Sequence, residues 1–242
     1  MDARGPLLFN TLQVQKNDER SHVRAFPLYL WFGFLFLLVV VYPAGTDNSL
    51  RHTYLERTGD DKLLHTLVIR RNGNNVETRW IAPEKSYFNL CDSTGDTLEW
   101  RVSDKEGEIK GKREGNVIQL EGVRKGKVIR RSVEIGGAPW FQPPSYALGR
   151  FSKSQRESID FWTIRPDTLK PVKLHAKRLG KESVEIETGA VAIRKVRISL
   201  TGLLSDFWAA HYWFRESDGL FFPYKGANGL PGTPVTTIQL ES

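Results

Sequence analysis

Thr97-Leu98-Glu99-Trp100-Arg101-Val102-Ser103 alternates apolar and polar residues with a period of two. That period places one side of the backbone in a core and the other in water, the pattern of a half-buried β-strand. The same alternation recurs at Val172, Leu174 and Ala176, at Val184 and Ile186, and at Ile238 and Leu240. Glycine, asparagine and aspartate punctuate these stretches about every dozen residues. Examples are Thr58-Gly-Asp-Asp61, Asn72-Gly-Asn-Asn75, Ser93-Thr-Gly-Asp96, Glu114-Gly-Asn116 and Ser217-Asp-Gly219. Such residues accept the positive φ of tight hairpins, and strands so closely linked are antiparallel neighbours. The expectation is a mainly β fold, a curved antiparallel meander of about twelve strands in an up-and-down order. A sheet with one apolar face curls to bury it, so a barrel or half-barrel is expected. Between Ile193 and Val196 the alternation slips by one residue, which predicts a bulge at Arg194-Lys195.

One region interrupts the meander. Gly136-Gly-Ala-Pro-Trp-Phe-Gln-Pro-Pro144 reads as a proline-rich crossing segment, and Ser145 to Arg156 as one short helix with Ser145 as its N-cap. Neither half of the meander closes alone, so this region is read as a plug on the concave face.

The N-terminal part follows another pattern. No charged residue occurs from Ala25 to Thr46. About 20 apolar residues are needed to cross a bilayer core, and Phe26, Leu28, Trp31, Phe34, Leu38, Val41 and Tyr42 belong to such a stretch. Tyr29, Trp31 and Tyr42 sit near its ends, as interfacial aromatics do. Residues 1–24 are then a cytoplasmic tail, 25–46 a transmembrane helix and 47–242 an extracytoplasmic domain. Lys16, Arg20 and Arg24 immediately before the stretch favour a cytoplasmic N-terminus and a single pass of the inner membrane. The competing reading is a cleaved signal peptide with release to the periplasm. The long leader and the bulky Tyr42 before Pro43-Ala44 weigh against it.

Several residues and motifs carry a resemblance. Glu187-Thr-Gly-Ala-Val-Ala-Ile-Arg-Lys-Val-Arg-Ile198 precedes an aromatic strand, Trp208-Ala-Ala-His-Tyr-Trp-Phe-Arg215. Asp218-Gly219, Leu220-Phe-Phe-Pro-Tyr-Lys225 and a last strand ending in Leu240-Glu241 follow. Residues 140–242 resemble the C-terminal half of bacterial cell-envelope domains of unknown function, similar in fold to the lipoprotein-carrier half-barrels of the LolA/LolB-like architecture. Residues 50–135 share only the pattern. The resemblance implies an extracytoplasmic curved sheet around a helix, and it supplies no catalytic residues. An apparent membrane anchor departs from soluble lipoprotein carriers.

Chemistry-bearing motifs are scarce. The single cysteine, Cys91, excludes an intramolecular disulfide framework and multi-cysteine metal sites. The five histidines show no metal-ligand spacing, and no nucleophile-elbow, Walker or dinucleotide glycine pattern occurs. No catalytic residue, metal or cofactor is therefore assigned. The net charge of +7 includes basic clusters at Arg124–Arg131 and Lys170–Lys181. In an exported domain these fit a solvated sheet face or anionic headgroups, and nucleic acid is not expected as a partner. The aromatic residues give the other lead. Trp80, Trp100, Trp140, Phe141, Tyr146, Trp162, Trp208, Tyr212 and Trp213 either fill the curled sheet or line a groove for an acyl chain or hydrophobic peptide. The leading expectation is a non-enzymatic, membrane-anchored envelope protein whose partners are membrane lipids and a lipid-like or lipoprotein-like ligand. A structural module of an envelope complex with a filled core is the alternative, and an uncharacterised hydrolase or isomerase the third. The sequence does not fix an oligomeric state.

Overall fold

Among the described residues fourteen strands make a single sheet, in which every strand but the eighth pairs with the next one in sequence order up to the fourteenth. A computed structural model of the chain describes residues 49–186, 189–205, 207–227 and 234–241. The first eight strands are β1 (Leu50–Thr58), β2 (Asp61–Asn72), β3 (Asn75–Ala82), β4 (Lys85–Cys91), β5 (Thr97–Asp104), β6 (Gly107–Glu114), β7 (Val117–Arg124) and β8 (Lys127–Glu134). After helix α1 (Pro144–Lys153) come β9 (Ser158–Ile164), β10 (Pro171–Ile186), β11 (Gly189–Leu200), β12 (Ala209–Arg215), β13 (Phe221–Ala227) and β14 (Val235–Leu240). The sheet has fourteen strands among the described residues, two more than the expected dozen or so.

All neighbours pair antiparallel, in the order β8 to β1, then β14 to β9. The first and last strands thus meet in the middle of the sheet, with Tyr54 opposite Leu240. The free edges are β8 and β9, and the sheet is not closed. The chain breaks its meander at that point, because Ile135–Pro143 must travel from one edge to the other. On the way it seals part of the opening. The Trp162 N–H donates to Pro139 O (2.8 Å), the Phe141 N–H to Trp162 O (2.9 Å) and the Thr97 N–H to Trp140 O (2.7 Å).

Helix α1 plugs the concave face, as expected. Its start differs from the expected one: Pro143 is the N-cap residue, without a capping side chain, and Pro144 opens the first turn. A proline ring there fixes φ and removes an N–H that has no helical partner in any case, so Ser145 is helical and not a cap. The helix ends at Ser154, whose N–H and Oγ both reach Phe151 O. The bulge is also displaced from Arg194-Lys195. β11 runs unbroken against β12 from Ile193 to Ser199. The extra residue lies in β10, where Leu179 and Gly180 together oppose Lys195. The slip in β11 reflects Ile193, which is buried on the face opposite to Val196 and Ile198.

The inner face holds two apolar clusters. One gathers Ala147, Leu148 and Phe151 of α1 with Tyr54, Phe161, Val196, Ile198, Phe214, Phe221 and Tyr224. The other lies under β5–β8 and joins Trp100, Val102, Ile109, Ile118, Leu120 and Val133 to Trp140, Ile164 and Leu169. Among the described residues no helix is long and apolar enough to cross a membrane. The expected transmembrane helix, with Phe26, Leu28, Trp31, Phe34, Leu38, Val41 and Tyr42, lies outside them.

Candidate functional site

Between the two apolar clusters runs a polar belt on the inner wall of β3, β4 and β5. Thr78, Asn89 and Trp100 stand directly opposite one another on adjacent strands, and Gly111 of β6 continues the row. The lack of a side chain at Gly111 admits the Trp140 ring: a Cβ there would lie 2.9 Å from Trp140 Cη2. Trp80 occupies the next inward position of β3, opposite Tyr87.

Thr78 and Asn89 are almost wholly buried, at 1% and 2% exposure. Among the described residues, Thr78 Oγ1, Asn89 Oδ1 and the indole N–H groups of Trp80, Trp100 and Trp140 have no hydrogen-bond partner. Leaving such a group unpaired costs about 1–3 kcal/mol, and native interiors pair the great majority. Several other buried polar groups nearby are paired. Gln142 Oε1 accepts from Thr163 Oγ1 and the Ile164 N–H, and its Nε2 donates to Ile164 O. The Trp162 indole donates to Ile135 O (2.8 Å) and the Tyr54 hydroxyl to Phe221 O (2.8 Å). The belt therefore holds five of the six unpaired buried side-chain polar atoms among the described residues; the sixth, Arg101 Nε, belongs to the other face of β5. Its chemistry is specific: three indole N–H donors, one hydroxyl that donates or accepts, one amide oxygen, and no ionised group. Such a set complements a neutral ester, amide or hydroxyl.

The structure divides the aromatic residues singled out above. Trp80 lies 5.0 Å from Tyr54 and 6.1 Å from Phe221, ring centre to ring centre. Tyr212 packs with Tyr224 at 4.9 Å, and Phe141 stacks on Phe161 at 4.9 Å. Trp208 packs against the same cluster. Trp100, Trp140 and Trp162 belong to the second cluster. Tyr146 is half-buried on α1. Trp213 is not brought together with the rest. It projects from the opposite face to Tyr212 and Phe214, with Lys195 Nζ 5.0 Å above its ring and Glu182 accepting its N–H. Burial raises the phenols of Tyr54, Tyr146, Tyr212 and Tyr224, so all four stay neutral. Thr78, Asn89 and Gln142 were not singled out by the sequence. Asn89 shares its phase with Tyr87 and Cys91, and Thr78 with Val76 and Trp80, so each is a polar residue on an apolar phase.

Other reactive groups sit apart. Cys91 is fully buried, its Sγ–H donates to Val76 O (3.3 Å), and burial pushes its thiol up to about 12. His211 is on the outer face beside Trp213, and burial, then Lys195 and Arg197, lowers its pKa. His175 Nδ1 and Asp160 Oδ1 are 2.7 Å apart, exposed, on the polar face. Among the described residues no three His, Cys, Asp or Glu side chains gather as metal ligands. In the first basic cluster, Arg124 is clasped by Asp104 (3.2 Å) and Glu106 (3.0 Å).

No protein-family model and no curated protein matches this chain. Among solved structures it is similar to the hypothetical lipoprotein YmcC from Escherichia coli K12. That likeness has a TM-score of 0.40 and 11% identity, and covers 80% of this chain and 86% of that one. It is also similar to a β-barrel-like protein of a domain of unknown function, DUF1849, from Brucella abortus. Here the TM-score is 0.51 and the identity 10%, over 78% of this chain and 94% of that one. The chain has the barrel-like fold of that domain of unknown function, with an open seam where a barrel would close.

Proposed function

We propose that this is a non-enzymatic domain of the cell envelope that holds a neutral, lipid-like ligand against the inner wall of its sheet. The observation that carries the reading is the row of unpartnered buried groups at Thr78, Asn89 and Trp100, with Trp80 and Trp140 beside it. An apolar cluster flanks the row on each side. A ligand with a polar ester or hydroxyl between hydrocarbon arms matches that sequence of surfaces. The way in is the seam between β8 and β9. Only irregular chain and one isolated bridge, Trp140 to Trp162, cover it, so it opens without breaking a strand ladder. The apolar stretch at residues 25–46 supports tethering of the domain to the inner membrane, on its periplasmic side.

Thr78→Val separates stability from binding. Valine has a similar shape and removes a buried hydroxyl that has no partner, so the variant is expected to be more stable by about 1 kcal/mol in urea unfolding. If the hydroxyl serves a ligand, uptake of a fluorescent fatty acid ester by the purified full chain falls about tenfold, the value of one hydrogen bond. Stabilisation with unchanged uptake, or no uptake by the parent chain, contradicts the reading. The second reading, an interaction module with a filled core, is favoured by how closely α1 is seated. A Cβ on Gly149 would lie 2.2 Å from Gly219 O. In that case the parent chain takes up no ester.

A further inference from the structure

β8 ends the sheet and pairs with β7 alone. Among the described residues no backbone group of Lys127–Glu134 bonds to anything beyond that ladder. The other edge is covered. There the crossing segment accepts the Trp162 N–H at Pro139 O and gives the Phe141 N–H to Trp162 O. The same segment sends the Trp140 ring toward Gly111 and Leu120, and makes no backbone bond to β8.

Turn and register fix which groups of β8 face out. Lys125 and Gly126, at φ 51° and 72°, form a two-residue hairpin loop between Arg124 and Lys127. Arg124 and Lys127 are then a hydrogen-bonded pair, and bonded and non-bonded pairs alternate from there. Lys127, Ile129, Arg131 and Val133 turn their N–H and C=O toward β7. Val128, Arg130, Ser132 and Glu134 turn theirs outward. Such an edge is a template for another strand, and proteins blunt it with a proline, a bulge, a cover or charge. β8 has no proline, and its register with β7 is unbroken.

Charge is the device that is present. Lys127, Arg130 and Arg131 are exposed, and among the described residues none of them has a carboxylate partner. The acids nearby are placed otherwise. Glu121 lies between Arg130 and Lys110 on adjacent strands, without an ion pair among the described residues. Glu114 pairs with Lys112 (3.5 Å), Asp104 and Glu106 hold Arg124, and Glu134 closes the strand. The edge is therefore basic from Lys127 to Arg131 and acidic at its far end. Arg131 shares its phase with Ile129 and Val133 of the second cluster, and Arg130 has the opposite phase. An added strand thus meets positive charge on both of its faces. Two copies of β8 paired about their centre would set Arg130 against Arg130, or Arg131 against Arg131, which like charges disfavour. A lipid headgroup would answer the charge and leave the row of backbone donors and acceptors unmet. An extended peptide with adjacent acidic residues answers both.

We infer that β8 is a docking edge for an extended acidic segment of a partner protein, which adds to the sheet as one more strand with its acids opposite Lys127–Arg131. This goes beyond the inner-wall reading and does not rest on it.

The probe is a dye-labelled peptide of threonine and valine carrying two adjacent glutamates, read by fluorescence anisotropy against the full chain in mild detergent at low salt. Saturable binding is expected, about tenfold tighter than for the same peptide with lysines in place of the glutamates. Ser132→Pro removes an outward N–H and no bond of the β7 ladder, a place where an edge strand accepts proline. It is expected to weaken binding about tenfold, the value of one hydrogen bond. The Arg130→Glu, Arg131→Glu double variant is expected to prefer the lysine peptide. A glutamate peptide N-methylated at adjacent residues keeps its charge but cannot pair along either edge, and it is expected not to bind the unaltered protein, whatever the variants do. Equal binding of the methylated and unmethylated peptides would mean attraction by charge alone and would overturn the inference. So would no binding of the glutamate peptide by a chain that sediments as a dimer and becomes a monomer with Ser132→Pro, which would give the edge to a second copy. Uptake of the fluorescent ester reads the inner wall separately.

Discussion

Replacing Trp140 with alanine is expected to destabilise the domain by about 4 kcal/mol, within the range for emptying a buried aromatic site. The ring is wholly buried and fills the space left by Gly111 between β5, β6 and α1's approach segment. The backbone at Trp140 also pins the crossing segment. Its N–H donates to Asp96 Oδ1 (2.9 Å), and its carbonyl accepts from the Thr97 N–H. Asp96 in turn pairs with Arg113 of β6. These backbone bonds survive the substitution, so the loss reads the ring alone. The check is urea unfolding followed by circular dichroism. A change under about 1 kcal/mol, the scale of ordinary surface substitutions, would mean that the second cluster is not built around this ring.

Gly149→Ala is expected to cost about 3 kcal/mol, the upper part of the overpacking range. In an exposed helix the same change would gain about 1 kcal/mol from propensity. Here the sign reverses because a Cβ would lie 2.2 Å from Gly219 O and 3.3 Å from Phe214 Cδ1. The first contact is with backbone in a tight turn. It is relieved only by lifting α1 from the sheet. Thermal unfolding of the two full-length proteins measures the difference. A stabilised alanine variant would show that α1 is not seated as described.

Strand alternation made most of the sheet legible: Trp100 and Val102 of β5 and Leu174 and Ala176 of β10 are buried as expected, whereas a register shift at the start of β5 buries Thr97, expected on the polar face, and leaves Leu98 half-buried. The crossing segment was also legible, from its prolines and glycines at 136–144. The position of the edges was not. Tyr54 and Leu240 lie on strands at opposite ends of the sequence, and no local signal says that they pair. The helix start was misplaced because Ser145 has the residue type of a cap, while Pro143 and Pro144 already set the backbone. The aromatic strand β12 left its phase ambiguous: Tyr212, Trp213 and Phe214 are all large and apolar, so only the register assigns Trp213 to the outer face. The polar belt depends on register most of all. Thr78 and Asn89 each read as one tolerated polar residue in an apolar phase. Their meaning appears when pairing places them side by side with Trp100. The apolar segment before Thr46 was the strongest single signal in the sequence, and it falls outside the described residues.

The central claim is that the unpartnered belt at Thr78, Asn89 and Trp100 holds a lipid-like molecule. The most direct measurement purifies the full chain and a Thr78→Val, Asn89→Leu double variant side by side in one detergent, then compares their organic extracts by mass spectrometry. Lipid carried by the apolar N-terminal stretch contributes equally to both and cancels. The account predicts about one molecule per chain in the parent extract, of the order of a saturated single site, and its loss from the variant. Identical extracts from two equally folded proteins would contradict it.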